Sequence, residues 1–239
     1  MASLIFENVC IQYPIYNSRG MSLRNQLVRL GTGGRIENES ASVKVVTALQ
    51  NANFTLTKGD RVGLVGHNGA GKSTLLRAMA GIYHPVSGQV RRKGKVATVL
   101  ELGAGMDPEL SGYENITRMG ILMGMSHAEI DQKVPEIESF TELGDFLQLP
   151  VRTYSAGMAT RLMFAVATSV QPDILLVDEV FGTGDADFQA KAKTRMEKLI
   201  QSVGIFVFAS HDHQTLKQYC HRVFKLEHGQ ISEISKSDL

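Results

Sequence analysis

The segment Gly66-His67-Asn68-Gly69-Ala70-Gly71-Lys72-Ser73 follows the pattern GxxxxGK[ST], and it lies between an apolar run, RVGLVG, and a helical one, TLLRAMAGI. That order of strand, Gly-rich loop and helix restricts the chain to a sheet whose strands are joined through helices, an α/β core. The glycines let backbone N–H groups curl around phosphate oxygens, and a helix starting near Lys72 points the positive end of its dipole at them. In this reading Lys72 reaches the β and γ phosphates, the Ser73 hydroxyl ligates Mg²⁺, and Thr74 joins the nucleotide-binding residues.

A second apolar strand, Ile174-Leu175-Leu176-Val177, ends in Asp178-Glu179. A buried strand that ends in two acids delivers carboxylates to its C-terminal edge, where ligands bind in open α/β sheets. Beside a phosphate loop, Asp178 is expected to hold Mg²⁺, directly or through water. Glu179 is expected to orient and deprotonate the attacking water.

Composition narrows the class further. The chain has 239 residues, 25 Lys+Arg against 24 Asp+Glu, and a net charge of +1, which argues against a general nucleic-acid binder. Its two cysteines, Cys10 and Cys220, form no CxxC pair and give no disulfide framework. MASLIFENVC lacks the charged start and long apolar core of a secretory signal. The longest uncharged apolar stretch, 162–170, is about half of what a bilayer span requires. One domain over 1–239 is expected.

Along the chain, 4–9 and 45–56 read as strands by partial alternation. Between them, at about 17–44, lies an insert with Arg19, Arg24, Arg29 and Arg35 and no acid over 17–36. Leu23, Leu27 and Leu30 have helical spacing there, followed by a Gly-rich stop. The insert reads as a short basic amphipathic helix. Short strands are expected near 89–92 and 95–100. A mostly helical stretch covers about 108–168, interrupted at Pro135 and Pro150. Strand 174–177, helix 188–202, strand 205–209 and helix 214–221 follow, and a hairpin turns at His228-Gly229.

Tyr154-Ser155-Ala156-Gly157-Met158, about 23 residues before Asp178, resembles the signature loop of the ATP-binding cassette (ABC) family, commonly LSGGQ. As an isolated pentapeptide it reads as a helix N-cap by Ser155; next to the phosphate loop it reads as a second anion site opening a helix over 159–170. Asp185 matches that family's D-loop Asp and His211 its switch histidine, while Tyr13 or Tyr16 matches the aromatic that stacks on adenine. The resemblance covers essentially the whole chain. It implies the P-loop NTPase ABC-ATPase fold: a mixed-sheet nucleotide-binding core, an antiparallel β part and a helical subdomain at about 106–168. It also implies an ATPase using ATP and Mg²⁺, and a head-to-tail homodimer with two ATP sandwiched between phosphate loop and the other subunit's signature loop. One position departs from the pattern: Glu101 stands roughly where the family carries a Gln that contacts Mg²⁺. A zinc site from His211, His213, Cys220 and His221 competes for the same residues, but HxH plus CH lacks the usual ligand spacing.

LELGAGMDPELSGYENI, YSAGM and DEVFGTGDADF resemble the subgroup that exports lipid-linked polysaccharides, O-antigen and teichoic acid among them. That likeness implies a separate transmembrane permease, a lipid-linked polysaccharide substrate, and a peripheral position on the cytoplasmic face of the inner membrane. The basic insert would then touch the membrane surface, where each basic residue near anionic headgroups is worth about 1 kcal/mol; a solvated surface helix is the alternative. Some members of the subgroup add a C-terminal carbohydrate-binding domain, and none is expected here. Three other readings stay open: an import ATPase for a small solute, an ABC ATPase of cluster assembly, and a nucleotide sensor without catalysis.

Overall fold

The computed structural model describes residues 1–15, 44–99, 103, 105–178 and 186–239. The strands form two sheets. The smaller is antiparallel, in the order β2 (Lys44–Thr57), β1 (Ser3–Ile15), β4 (Ser87–Lys93). The larger runs β5 (Val96–Val99), β6 (Ile174–Asp178), β7 (Ile205–Ala209), β3 (Arg61–Val65), β8 (Arg222–Glu227), β9 (Gln230–Ile234). Its first five strands are parallel and β9 closes the edge antiparallel to β8.

Burial on both faces explains why the central strands are unbroken apolar runs. In β6, Ile174 and Leu176 face a core shared with β1, β2 and helix α1 (Lys72–Ala80). Leu175 and Val177 face the opposite core, with Phe188, Met196 and Leu199 of a later helix, α5 (Ala186–Ser202). Four further helices lie among the described residues: α2 (Gly112–Leu122), α3 (His127–Thr141), α4 (Ala156–Ala167) and α6 (His213–Tyr219). A third core gathers Ile116, Met119, Ile130, Ile137, Leu147, Leu162 and Val166 from α2, α3, α4 and the connecting turns. These are the mixed-sheet core, the antiparallel β part and the helical layer that the resemblance implied.

Several boundaries differ from the sequence expectation; β1, expected over 4–9, runs to Ile15. Pro135 does not interrupt the helical stretch but lies inside α3. A proline there removes one intrahelical bond and crowds the preceding turn. The cost is met because Pro135 is on the exposed face while Ile130, Ile137 and Thr141 are buried on the other. Pro150 does end a segment: it separates two short 3₁₀ turns and bridges to Ser111. The helix expected over 159–170 runs from Ala156 to Ala167, because Ser155 caps it directly. The helix expected to reach His221 stops at Tyr219.

Both ends of the third core are fixed by local chemistry. Ser111 opens α2 and Ser126 opens α3, each with a reciprocal capping box closed by Glu114 or Glu129. Each box satisfies two N–H groups that the first turn leaves unpaired.

Candidate nucleotide-binding site

At Val65 the central strand β3 gives way to the 66–73 loop, at the C-terminal edge of the parallel strands. Two of its glycines have no substitute. Gly66 has φ 154° and a Cβ there would lie 2.5 Å from the Leu226 carbonyl oxygen; Gly71 has φ 110° and its Cβ would lie 2.7 Å from that of Ala48. Side chains at these positions would collide with backbone, so the loop depends on both the left-handed freedom and the missing carbon. Gly71 then delivers the chain into α1 as its N-cap.

Lys72 folds back over the loop. Its Nζ donates to the carbonyls of Gly66 at 2.6 Å and His67 at 3.3 Å. The cation therefore sits at the mouth of a ring of peptide groups, where a phosphate oxygen would compete for it. Ser73 Oγ donates to Asp178 Oδ2 at 2.7 Å, across the strand that separates β3 from β6. One hydroxyl and one carboxylate, both hard oxygen donors, make a set that suits Mg²⁺, which takes oxygen ligands and keeps several waters.

His211 follows β7 at the same edge, and its Nε2 lies 3.0 Å from Asn68 Oδ1 of the loop. Asp212 fixes the backbone there by accepting from the Gln214 amide at 2.9 Å, capping α6. The Thr215 hydroxyl and the Gln214 amide hold the Asp212 carboxyl below its ordinary range. His213 is the first residue of α6, past the end of β7. His221 is at the opposite edge of the sheet: its amide donates to the Arg61 carbonyl, where β3 begins, and its Nε2 lies 3.7 Å from Asp60. The four residues weighed as a zinc set are thus divided between two edges of one sheet.

Tyr13 reaches the loop's helix from β1, donating to Thr74 Oγ1 at 2.9 Å. Its ring meets Tyr83 edge to face at 5.3 Å between centroids. Burial pushes the Tyr13 phenol up, outweighing the Thr74 contact that lowers it.

The Ser155–Met158 stretch is placed elsewhere, on the third core. Ser155 Oγ accepts from the Met158 amide at 3.2 Å, so both sequence readings of this segment, a helix N-cap and a helix-opening loop, describe the same backbone. Ser155, Ala156 and Gly157 are exposed. Tyr154 anchors the loop from behind, donating to the Phe146 carbonyl at 2.7 Å, and burial raises its phenol pKa.

Tyr16, Glu101, Glu179, Asp185 and the 17–43 arginines lie outside the described residues. Those described divide into two groups: Gly66 to Thr74, Tyr13, Asp178 and His211 at the sheet edge, and Tyr154 to Met158 on the helical layer. Among the described residues, a cleft of 680 Å³ lies between α3 and α5, and one touching Gly66, His67 and His211 is 540 Å³.

Sequence reasoning missed Arg195. It occupies the stripe Phe188, Ala192, Arg195, Leu199, whose spacing of four, three and four residues marks the buried face of α5. A cation on an apolar stripe was the available signal.

The ABC transporter family matches residues 49–182 of this chain. The chain is 65% identical over 235 residues, 98% of each protein, to the O-antigen export system ATP-binding protein RfbE of Yersinia enterocolitica. It is 39% identical to the O-antigen export system ATP-binding protein RfbB of Myxococcus xanthus, over 99% of this chain and 54% of that one. The teichoic acids export ATP-binding protein TagH of Bacillus anthracis is 35% identical over 95% of this chain and 40% of its own length. Among solved structures, the dimeric ATP-binding cassette MJ0796 in a post-hydrolysis state with ADP and Pi superposes with a TM-score of 0.69 at 21% identity, covering 98% of each chain. At that identity the likeness speaks for the fold alone.

Proposed function

The chain belongs to the ABC transporter family and is an ATP-binding ATPase of it, and we propose that it energises export of a lipid-linked, O-antigen-like polysaccharide through a separate transmembrane permease. The ATPase half of this reading is carried by one arrangement: Lys72, the Ser73–Asp178 pair and His211 meet at one sheet edge. The export half is supported by the 65% identity to an O-antigen export protein over almost all of both chains. That identity also weighs against the small-solute and cluster-assembly alternatives.

In this proposal Lys72 exchanges its loop carbonyls for β and γ phosphate oxygens. Ser73 and Asp178 would hold Mg²⁺, with Glu101 as a further oxygen donor, and an ion there would supply positive charge beside the phosphates. Glu179 orients water in line with the γ phosphate and accepts its proton at a carboxylate oxygen. His211, already against Asn68, contacts the γ phosphate from the β7 side. Tyr13 or Tyr16 packs on adenine.

The exposed first turn of α4, Ser155 to Met158, would offer its amides to the γ phosphate held by a second copy, with Asp185 at the same interface. Two ATP molecules would then close a head-to-tail homodimer, and loss of the bridging phosphate would open it. The basic insert at about 17–44 would rest against anionic headgroups on the cytoplasmic face. Among the described residues, no helix is long and apolar enough to cross a membrane, which is compatible with a permease supplied by another chain.

Steady-state ATP turnover of the purified chain with Mg²⁺ tests the catalytic assignment. Glu179→Gln should lower it by about 10²–10⁴-fold while ATP still binds. Near-normal turnover would move the base elsewhere.

A further inference from the structure

Arg195 is half-way along α5, the helix that follows Asp178-Glu179 and Asp185 in the chain. Its side chain is only 14% exposed and reaches two other helices. Nε donates to Thr168 Oγ1 at 2.6 Å and Nη2 to the Ala165 carbonyl at 3.3 Å, both at the C-terminal end of α4. Nη1 pairs with Glu136 of α3 at 2.9 Å, and the guanidinium lies 4.5 Å from the centroid of the Phe140 ring. Thr168 is itself locked, donating to the Phe164 carbonyl at 2.7 Å. Around this point Phe140, Phe164 and Phe188, one from each helix, meet at centroid distances of 5.4 to 5.9 Å.

The aromatic contacts alone fix how close the helices are, but not their register, because apolar packing has little directionality. The planar fork of Arg195 supplies direction: three donors aimed at three acceptors, with a positive charge at the helix end that carries the negative pole of α4. The other end of α4 is the Ser155–Met158 turn. A helix of 12 residues is about 18 Å long. A tilt of about 5° at Thr168 therefore moves the Ser155 end by about 1.5 Å, and misplacement of about 1 Å can cost as much as about 10²-fold in rate.

We propose that Arg195 is a positioning residue that sets the angle of α4 against α5, and so presents the Ser155–Met158 turn to the nucleotide of a second copy. This rests on the reading that the turn completes the partner's site in an ATP sandwich. Arg195 touches no nucleotide in that arrangement, so its loss should spare ATP binding by the single chain and weaken what two chains do together.

The test uses the full chain carrying Glu179→Gln, so that ATP persists, and measures two quantities. One is ATP affinity at a chain concentration too low for dimers, followed with a fluorescent ATP analogue. The other is ATP-driven dimerisation by sedimentation velocity. Adding Arg195→Met should leave ATP affinity within about twofold and weaken dimerisation by about tenfold or more. Arg195→Lys, which keeps the charge but loses the fork, should rescue dimerisation only in part. Thr168→Val removes one acceptor at nearly constant volume and should weaken dimerisation in the same direction; it also serves if Arg195→Met fails to fold. Unchanged dimerisation in a folded Arg195→Met, or in Thr168→Val with Arg195→Lys, overturns the inference while leaving the sandwich reading intact. An equal loss of ATP affinity and dimerisation overturns it too, since it marks a role in folding only. If the Glu179→Gln parent itself does not dimerise with ATP, the sandwich reading fails and this inference with it.

Discussion

Lys72 and Ser73 are neighbours in the chain with opposite electrostatic tasks. Lys72 is buried, and its ammonium is already held by carbonyls of its own loop. Ser73 is exposed and bound to a carboxylate from another strand. Lys72→Ala should therefore weaken ATP affinity with little loss of stability, because the loop's shape is set by Gly66 and Gly71 rather than by the lysine. Equilibrium binding of a fluorescent ATP analogue checks this, and an unchanged affinity would contradict the assignment of the loop.

A second residue-scale prediction concerns acid stability. Arg222 bridges Glu233 at 2.7 and 2.9 Å and Asp60 at 3.2 Å, pinning β9 and the turn before β3 to β8. The Arg222 guanidinium holds the Glu233 carboxyl below its ordinary range, against a smaller effect of burial. Burial pushes Asp60 up, but the Thr57 amide and Arg222 together outweigh it and leave Asp60 low as well. Both carboxyls thus bind protons more weakly folded than unfolded. The stability they contribute is fully present above their unfolded values of about 3.9 and 4.3 and is lost as pH falls through the lower folded ones. Arg222→Met should lower stability by about 1–2 kcal/mol at pH 7, since part of the network is solvent-screened, and by clearly less near pH 3. Urea midpoints at the two pH values measure it; an equal loss at both would mean that Arg222 acts by packing alone.

At the scale of elements, unbroken apolar runs locate the central strands of the large sheet, whose two faces are both buried, and helical spacing locates most helices, which bury one face. One boundary misled because a local rule met a tertiary one. Proline ends a helix by default, yet Ile130 and Ile137 hold the two halves of α3 to the third core and Pro135 faces water. Pro135→Ala should consequently stabilise the chain by about 1–2 kcal/mol, less than the full proline penalty because the unfolded chain also gains freedom. Chemical denaturation reads this directly, and a loss of stability would show that the proline is packed against something. The start of α4 misled for a different reason: Ala156-Gly157-Met158 matches a loop motif, while Ser155 already satisfies the first turn and draws the helix back to Ala156. Removing that cap with Ser155→Ala is expected to cost about 1 kcal/mol.

At the scale of the whole molecule, the phosphate loop, Asp178 and His211 come from three segments far apart in sequence, joined by a sheet order in which β7 separates β3 from β6. Their motifs were legible singly, and their convergence followed from the rule that ligands bind at the C-terminal edge of parallel strands. The Asn68–His211 contact and the Arg195 junction were not legible in that way. Each depends on side-chain packing between elements whose relative tilt no single-residue pattern encodes. The same scale holds the proposed role of the insert: replacing Arg24 and Arg29 with Gln should reduce export or membrane association and leave ATP turnover of the isolated chain unchanged. Normal export with both arginines replaced would reduce the insert to a solvated surface segment.

If ATP hydrolysis by this chain drives a lipid-linked polysaccharide across the cytoplasmic membrane, blocking hydrolysis strands the polymer inside. Cells lacking the chain, complemented with either the native sequence or Glu179→Gln, allow the polymer to be quantified at the surface and inside, attached to its lipid carrier. Surface polymer is expected with the native chain, and with Glu179→Gln a normal rate of synthesis but polymer retained inside. Full surface polymer with Glu179→Gln, or unchanged glycans together with a defect in solute uptake, would contradict this expectation.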